Sequence, residues 1–460
     1  MAAMTAVATA RRGVARFRAP AEHAPESLPR GPGASPVVQT AHWLLRPISF
    51  LESCRRRYGD AFSVRLVGAQ APTVMLSDPE AIRALYTERR HGLPPGRSVA
   101  LRPVMGARSV LLLEGEAHLA RRRLMLAPFR GERMQSYESA VREVAEREIA
   151  TWPLRRPFAL HPRMQAVTLE VILSAVFGVS DPRRRQRLRG LLQRLLHDTS
   201  SVALQLRVLA SRRRTGSDPF AKLGGLIGEI DELLLAEIAE RRAASGSADR
   251  QDILSLLSCA AFEDGTEMTD AELRDQLVTL LLAGHETTAT GLAWTMDLLL
   301  RHPEVLKRLT AEINQDTDTY LRAVIWEALR LRPVVPLAGR RLAVDLSVEG
   351  LTLPAGTDVT PAIWLTHTRP DLYPEPYAFR PERFLERPPS TYGWIPFGGG
   401  VRRCLGAAFA ELEMRVVLDA VLRARALRPA RSGAEHVTRR NVTFSPRHGT
   451  RVIADVARGG

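Results

Sequence analysis

A single cysteine follows three consecutive glycines near the end of the sequence. Residues Phe397 to Gly406 read Phe-Gly-Gly-Gly-Val-Arg-Arg-Cys-Leu-Gly, and such glycines permit a sharp turn and a close approach to a flat group. The strong helix formers from Ala407 to Arg415 then place Cys404 at or near a helix N-terminus. The helix dipole and free backbone N–H groups there favour a thiolate. Such a thiolate is a good axial ligand for haem iron, whereas the alternative is a buried structural cysteine.

The decapeptide resembles the haem-binding signature of the cytochrome P450 superfamily, in which one Phe, two Gly, one Arg and one Cys recur at fixed spacing. Phe397, Arg402, Cys404 and Gly406 occupy four of those positions, and Gly400 occupies the fifth. The resemblance implies a haem b cofactor with an axial thiolate from Cys404. It also implies that Arg402 reaches a haem propionate and that Gly406 lets the helix lie against the porphyrin.

A short predicted helix from Gly115 to Arg123 carries a second candidate group. His118 and Arg122 are four residues apart and therefore share one helix face. Two donors on one face suit a pair of propionates, and the pattern resembles the Trp-x-x-x-Arg helix of the same family, with His118 in place of Trp. The neighbouring Arg121 and Arg123 are predicted to lie on a solvated face.

The sequence predicts one unusually long helix, which begins at a capping box with Thr269 as the cap and ends near Leu300. It would measure roughly 45 Å, enough to cross a whole domain. In its middle, the small residues Ala283 and Gly284 leave room for a bulky group beside the helix.

The next two positions, Glu286 and Thr287, bring an acid and a hydroxyl to the same region of this helix. A buried acid is costly unless it is paired, so its presence calls for a reason. The family resemblance supplies one, namely proton delivery during oxygen activation. A hydrogen bond from Thr287 back to a helix carbonyl is compatible with that role.

Glu327 and Arg330 are spaced to pair on one helix, a pattern that is common and means little alone. Here it is followed by Arg340 and then Arg383, in the order of the P450 family. The resemblance implies that Glu327, Arg330 and Arg383 form a structural charge network beneath the haem. It also makes Arg340 a propionate partner, with Arg341 as the weaker alternative.

Composition narrows the class of protein. The chain has 460 residues and a net charge of +15, and almost all of its basic residues are arginines. Its three cysteines, Cys54, Cys259 and Cys404, are far apart, which argues against a disulfide framework or a zinc site and predicts a cytoplasmic, reducing location. No nucleic-acid-binding module is recognisable, and no apolar run is long enough to span a membrane.

The predicted architecture is a flexible tail over residues 1–40, followed by one domain over residues 41–460. Its fold class is mainly α with a small β part. The resemblance implies the P450 fold, in which haem lies between the long central helix and the helix that follows the cysteine. Residues 89–108 are predicted to form a loop without regular structure, which in the family covers the substrate.

The implied activity is insertion of one oxygen atom from O2 into an apolar small molecule such as a fatty acid, terpenoid, steroid or polyketide. Candidate pocket walls are Leu280, Val334, Val335, Leu337 and residues 99–110. Electrons would come from NAD(P)H through a separate reductase and a ferredoxin or flavodoxin, and Arg402 and Arg403 would form a dock for an acidic donor on a monomeric enzyme. The alternatives are an H2O2-driven peroxygenase, a non-catalytic haem-binding sensor and, least favoured, a nucleic-acid-binding protein.

Overall fold

A computed structural model describes residues 28–94, 102–129, 131, 133–199, 204, 220–243, 250, 252–348, 350–440 and 442–457. The principal helices of this part of the chain are α1 Pro36–Leu45, α2 Pro47–Tyr58, α3 Pro79–Thr87, α4 Gly115–Leu126, α5 Arg133–Ala150, α6 Leu160–Val171, α7 Pro182–Thr199, α8 Gly224–Ala243, α9 Ile253–Ser258, α10 Asp270–Arg301, α11 Pro303–Ile313, α12 Thr319–Leu331, α13 Ile363–His367, α14 Arg383–Glu386 and α15 Ala407–Ala424. The strands are β1 Ala61–Val64, β2 Thr73–Leu76, β3 Pro157–Ala159, β4 Arg340–Arg341, β5 Leu346–Val348, β6 Leu351–Leu353, β7 Asp358–Pro361, β8 Arg425–Pro429, β9 Val437–Arg440, β10 Thr443–Pro446 and β11 Arg451–Val456.

Helix α10, called the central helix below, organises the packing. The predicted capping box at its start is present, with Thr269 and Glu272 bonding reciprocally. The helix has 32 residues, which corresponds to a length of about 48 Å. Helices α6, α12 and α15 all pack against it, and most of its residues are buried. The predicted class, mainly α with a small β part, is confirmed.

The strands form small sheets at the edge of this helical core. Strands β1 and β2 form the predicted antiparallel hairpin, and β2 continues in parallel to β7. The sequence from Val437 to Val456 predicts one hairpin, and the structure differs from this. Strands β9 and β10 pair with each other, whereas β11 joins β3 and β8 in a separate sheet.

The first helix begins at Pro36, inside the stretch that the sequence assigns to a tail. Gln39 is buried, and its side-chain amide donates to the carbonyls of Pro32 and Ala34 at 3.0 and 2.8 Å. Its carbonyl oxygen accepts from the backbone of Arg65 at 2.9 Å, which ties this segment to the region after β1. The boundary between a tail and a domain at residue 40 therefore lies within regular structure, and the division itself stays a prediction.

The segment predicted as a loop without regular structure contains a helical turn at 102–105. The chain after this turn is fastened to the central helix. The backbone N–H groups of Arg108 and Val110 donate to the side chains of Asp275 and Gln276, at 3.0 and 2.9 Å respectively. These contacts with distant side chains explain why local sequence did not reveal the turn.

The basic run in α4 is only partly solvated. Arg123 is exposed and pairs with Glu263, as predicted for a solvated face. Arg121 is buried, pairs with Glu272 at the start of the central helix and lies over the Phe262 ring. The prediction for Arg121 is therefore wrong, because helical periodicity turns that position towards the protein interior.

The sequence from Thr168 to Phe177 is apolar nearly all round, which predicts one buried helix. It is buried, but α6 ends at Val171 and the chain continues as a π-helical turn at Ile172–Val176. Such turns insert one extra residue per turn and are frequent at functional sites.

Within the described residues, no helix combines the length and the hydropathy needed to cross a membrane.

A buried carboxyl in α15 makes stability depend on pH. Glu413 is buried, and its Oε1 has no hydrogen-bond partner among the described residues. Desolvation raises the pKa of this carboxyl from 4.5 to about 8. Between these two values the folded state binds more protons than the unfolded state, so the free energy of unfolding falls as the pH rises through that window.

We predict that Glu413→Gln removes this dependence. For each pH unit between the two pKa values, the free energy of unfolding of the wild type should fall by up to about 1.4 kcal/mol more than that of the variant. Urea unfolding of both proteins across this range measures the difference. Glu143→Gln, which alters an exposed carboxylate paired with Arg147, is the matched control. Equal slopes for wild type and Glu413→Gln would contradict the prediction.

Candidate active site

Residues 397–406, called the cysteine loop below, form a compact turn that leads into α15. The Cys404 N–H donates to the Phe397 carbonyl at 2.9 Å, which closes the loop. Gly400 has a φ of +64°, and a Cβ there would lie 2.1 Å from the Tyr86 carbonyl oxygen. A side chain at Gly399 would likewise overlap the Tyr86 ring. The loop can therefore pack against α3 only because these positions lack side chains.

The Cys404 thiol is exposed, although protein surrounds the recess in which it lies. Desolvation is the largest effect and raises its pKa, while the backbone of Gly406 and the charges of Arg122 and Arg403 lower it. The expected contribution of the helix terminus to the thiolate is therefore present, but desolvation outweighs it in the polypeptide. A bound metal cation reverses this balance, because coordination deprotonates a thiol.

A charge network supports the segment that precedes the cysteine loop. Arg330 makes two 2.7 Å hydrogen bonds to the Glu327 carboxylate, and Arg383 Nε donates to the same carboxylate at 3.1 Å. Arg330 also donates to the carbonyls of His367, Pro376 and Ala378. The sequence predicted the contact among these three charged residues but missed His367. Its Nε2 accepts from the Ile395 N–H at 2.8 Å, two residues before the loop.

Four basic side chains from three parts of the chain converge beside the cysteine loop. They are called the basic cluster below and comprise His118, Arg122, Arg340 and Arg402. Burial lowers the pKa of His118 to about 4, with contributions from the charges of the three arginines. Burial also lowers the pKa of Arg402 to about 10, reinforced by Arg340 and Arg122 and opposed by Glu114. These shifts show that the four groups lie close enough to repel one another.

These arginines differ in where their side chains lie. Arg340 is buried, donates to the Gly399 carbonyl at 3.1 Å and stacks over Tyr86. Arg341 instead pairs with Asp358 at 3.2 Å. Arg402 turns inward and donates to the Leu113 carbonyl at 2.6 Å. The prediction that Arg402 belongs to an external docking surface is therefore wrong, whereas its neighbour Arg403 is exposed.

One face of the central helix is open near its middle. Ala283 is exposed although much of the helix around it is buried. A Cβ on Gly284 would meet only Ile172, at 3.6 Å. Thr287 lies one turn after Ala283 on the same face, and its hydroxyl donates to the Ala283 carbonyl at 2.6 Å. This open face is where the helix can accept a bulky neighbour.

Glu286 points to a different face from Thr287, since consecutive helix residues are about 100° apart. Its Oε2 accepts a hydrogen bond from Gln165 of α6, and its Oε1 lies 3.6 Å from His161 Nε2 and 3.5 Å from Thr290 Oγ1. Desolvation raises its pKa. The sequence did not reveal Gln165, His161 or Thr290 as partners, because two of them lie more than a hundred residues away in the chain.

The central helix and α15 touch at Gly291, where a Cβ would lie 3.2 Å from the Met414 sulfur. Ala283 and Gly406 each precede this contact by eight residues, or about 12 Å of helix. Gly406 caps α15, and a Cβ there would meet no other atom within 4 Å. Both helices thus carry an uncovered surface at a similar distance from their contact.

The predicted pocket walls differ in accessibility. Leu280, Val335 and Leu337 are half-buried, whereas Val334 is buried in the main hydrophobic core. Val104 and Val110 are also buried. The predicted wall residues at 99–101 lie outside the described residues. The pocket assignment stays a prediction.

A family model described as Cytochrome P450 matches residues 29–447. The chain belongs to the cytochrome P450 family. It is 42% identical over 432 residues to cytochrome P450 135B1 of Mycobacterium tuberculosis, covering 92% of this chain and 91% of that protein. It is 37% identical over 451 residues to cytochrome P450 137 of the same species, covering 96% and 94%. The chain is accordingly a haem-thiolate monooxygenase, an oxidoreductase that uses molecular oxygen.

Solved structures agree with this family at the level of the fold. A retinoic acid-bound cyanobacterial CYP120A1 superposes with a TM-score of 0.79 and 24% identity, covering 94% of this chain and all of that one. The haem domain of cytochrome P450DA gives a TM-score of 0.81, also at 24% identity, over 94% and 98%.

The residues of this P450 fit the haem that its family carries. A porphyrin supplies two carboxylates, which match the excess positive charge of the basic cluster. Its flat surface suits the uncovered helix surfaces at Ala283 and Gly406, and its iron suits the accessible sulfur of Cys404.

Proposed function

We propose that this P450 binds haem b through Cys404 and inserts one oxygen atom into an apolar small molecule. The observation that carries the proposal is the meeting of an accessible cysteine, three arginines and a neutral histidine beside one loop. The haem, when bound, supplies the oxygen-activating chemistry. The cysteine loop, α15 and the open face of the central helix would together hold this group.

The basic cluster holds the propionates in this proposal. Arg122, Arg340 and Arg402 provide charge-assisted hydrogen bonds, and His118 donates from a neutral imidazole. Arg340 is positioned by Gly399 and Tyr86, so its guanidinium is held before the cofactor binds. Phe397 packs against Trp394, with ring centroids 6.0 Å apart, and orients the start of the cysteine loop. Glu327, Arg330 and Arg383 act only through the fold of the segment beneath it.

Thr287 and Glu286 divide proton delivery between them. Thr287 lies on the open face and presents its hydroxyl towards the reaction space, while Glu286 holds a proton on the side facing α6. The raised pKa of Glu286 lets it take up and release a proton nearer neutral pH than an exposed carboxylate can. This arrangement favours O2-dependent monooxygenation over the alternatives of an H2O2-driven peroxygenase and a sensor, neither of which requires proton delivery.

Electrons are proposed to come from NAD(P)H through a reductase and an acidic ferredoxin or flavodoxin. The exposed Arg403 lies near Glu411, and Glu411 lines a recess together with Arg322, Trp326 and Arg415. The recess lies beside the first turns of α15, so an acidic partner bound there would lie close to the helix that follows Cys404. Positive charge at such a surface steers acidic partners and speeds their encounter.

The substrate is proposed to be a lipophilic small molecule such as a fatty acid, terpenoid, steroid or polyketide. Leu280, Ala283 and Gly284 offer an apolar wall on the central helix, and apolar walls with few polar groups suit such ligands. Titration of the holoenzyme with a panel of these compounds should shift the haem spectrum as water leaves the iron. The absence of any shift across an apolar panel would reject this substrate class.

Replacement of the ligand tests the central proposal directly. Cys404→Ser should abolish the red-shifted Soret band that the reduced, CO-treated protein shows when a thiolate ligates the iron. Cys259→Ser, at another exposed cysteine, is the matched control and should leave that band unchanged. A histidine-like spectrum in the wild-type protein would refute thiolate ligation by Cys404.

Thr287→Ala should uncouple electron consumption from product formation. Loss of the hydroxyl on the open face slows proton delivery, so more of the NAD(P)H consumed should yield H2O2 instead of product. The ratio of product to NAD(P)H in a system reconstituted with ferredoxin and its reductase measures this. Thr295→Ala, which alters a buried threonine two turns further along the helix, serves as the control. If the ratio is unchanged in Thr287→Ala, Thr287 has no part in proton delivery.

A further inference from the structure

The hydroxyl of Thr290 behaves differently from those of its neighbours in the central helix. Thr287 and Thr295 each donate to the carbonyl four residues earlier, the usual bond of a helical threonine. Thr290 donates instead to the Glu286 carboxylate at 3.5 Å and lies 3.1 Å from His161 Nε2. Its side chain is therefore directed towards other side chains rather than its own backbone.

Further hydroxyls continue from Thr290 into the β9–β10 hairpin. Thr290 Oγ1 lies 3.5 Å from Ser445 Oγ, and Ser445 Oγ lies 3.2 Å from Thr443 Oγ1. Thr443 in turn donates to the Arg440 carbonyl at 2.9 Å. The three hydroxyl residues are almost completely buried, whereas Arg440 is exposed. A continuous row of hydroxyls thus leads from Glu286 to Thr443, which bonds to the backbone of the exposed Arg440.

The surroundings of this row are polar where apolar packing would be the simpler solution. His161 is fully buried, and its Nδ1 has no hydrogen-bond partner among the described residues. The titratable and charged groups in this region come from three elements. Arg440 on β9 acts on both Glu286 and His161, and His285 on the central helix acts on His161 of α6. Burying such groups costs stability unless their hydrogen bonds serve a purpose.

We propose that the hydroxyls of Thr443, Ser445 and Thr290 form a proton path from the surface at the β9–β10 hairpin to the Glu286 carboxylate. The path deepens the proposed function and rests on the role given there to Glu286. Thr443, Ser445 and Thr290 are proton-relay residues in a positioning role, since they act through Glu286 and not on the reacting atoms.

Each step of the relay conserves protons. The Thr443 hydroxyl first turns from the Arg440 carbonyl towards Ser445. Its proton then moves to Ser445 Oγ while its oxygen takes up a proton that enters beside the exposed Arg440. The Ser445 proton passes to Thr290, and the Thr290 proton passes to Glu286 Oε1. Rotation of the hydroxyls then restores the starting orientation. His161 Nε2, which contacts Thr290 and lies 3.6 Å from Glu286 Oε1, keeps these two groups aligned.

Infrared spectroscopy of the holoenzyme tests the path without requiring turnover. The carboxyl band of protonated Glu286, assigned by its loss in Glu286→Gln, shifts when its proton exchanges for deuterium. Ser445→Ala should slow this exchange about tenfold, as expected when one hydrogen bond of the path is lost. Thr443→Val, which is nearly isosteric, should slow exchange similarly and guards against misfolding of the first variant.

Thr295→Val is the matched control, because Thr295 is equally buried in the same helix but bonds only to Gly291 among the contacts described. Unchanged exchange in both Ser445→Ala and Thr443→Val would overturn the path, and so would equal slowing in Thr295→Val. The solvent isotope effect on NAD(P)H oxidation should rise in the same two variants only. The exchange measurement does not depend on Cys404, so its failure is distinguishable from failure of the haem-ligand proposal.

Discussion

Repulsion among arginines that are withdrawn from water is the constraint on which the site depends. Arg340 is buried, and Arg122 and Arg402 are half-buried. They lie within electrostatic range of one another and of His118, and the pKa of Arg402 falls to about 10 as a result of burial and this repulsion. Bringing like charges together away from water is unfavourable, and in the proposed function the haem propionates offset this cost. Favourable contacts elsewhere in the fold hold the basic cluster together. The free energy of folding therefore offsets the repulsion within the cluster.

Those contacts also explain why the cysteine loop has its shape. Glu327 accepts hydrogen bonds from Arg330 and Arg383. Arg330 also donates to the Pro376 carbonyl and so holds that segment in place. His367 then positions Ile395, so the geometry of the network passes directly into the loop. Removing one member would leave buried charge unpaired, which is far more damaging than removing the whole network. The loop thus inherits its rigidity from residues that never touch the cofactor.

Local sequence predicted those features whose causes are local. The capping box at Thr269 and the helix after the cysteine loop follow from short-range propensities and were predicted correctly. Arg121 was misassigned because a run of arginines looks uniformly solvated until its partner Glu272 is known. The pairing of β11 with β3 joins segments almost 300 residues apart. No periodicity within either strand encodes such a partner.

Glu286 and Thr287 also show a local feature that the sequence predicts and a spatial feature that it does not. The sequence brings Glu286 and Thr287 together, but a helix must turn adjacent side chains to different faces. Thr287 therefore meets the open space beside Ala283, while Glu286 meets Gln165 and the buried hydroxyls. In the proposed mechanism, a carboxyl on the cavity face would contact an apolar substrate and would be cut off from the hydroxyls that lead towards the surface. Its displacement by one position would let the helix itself separate the reaction space from the proton source.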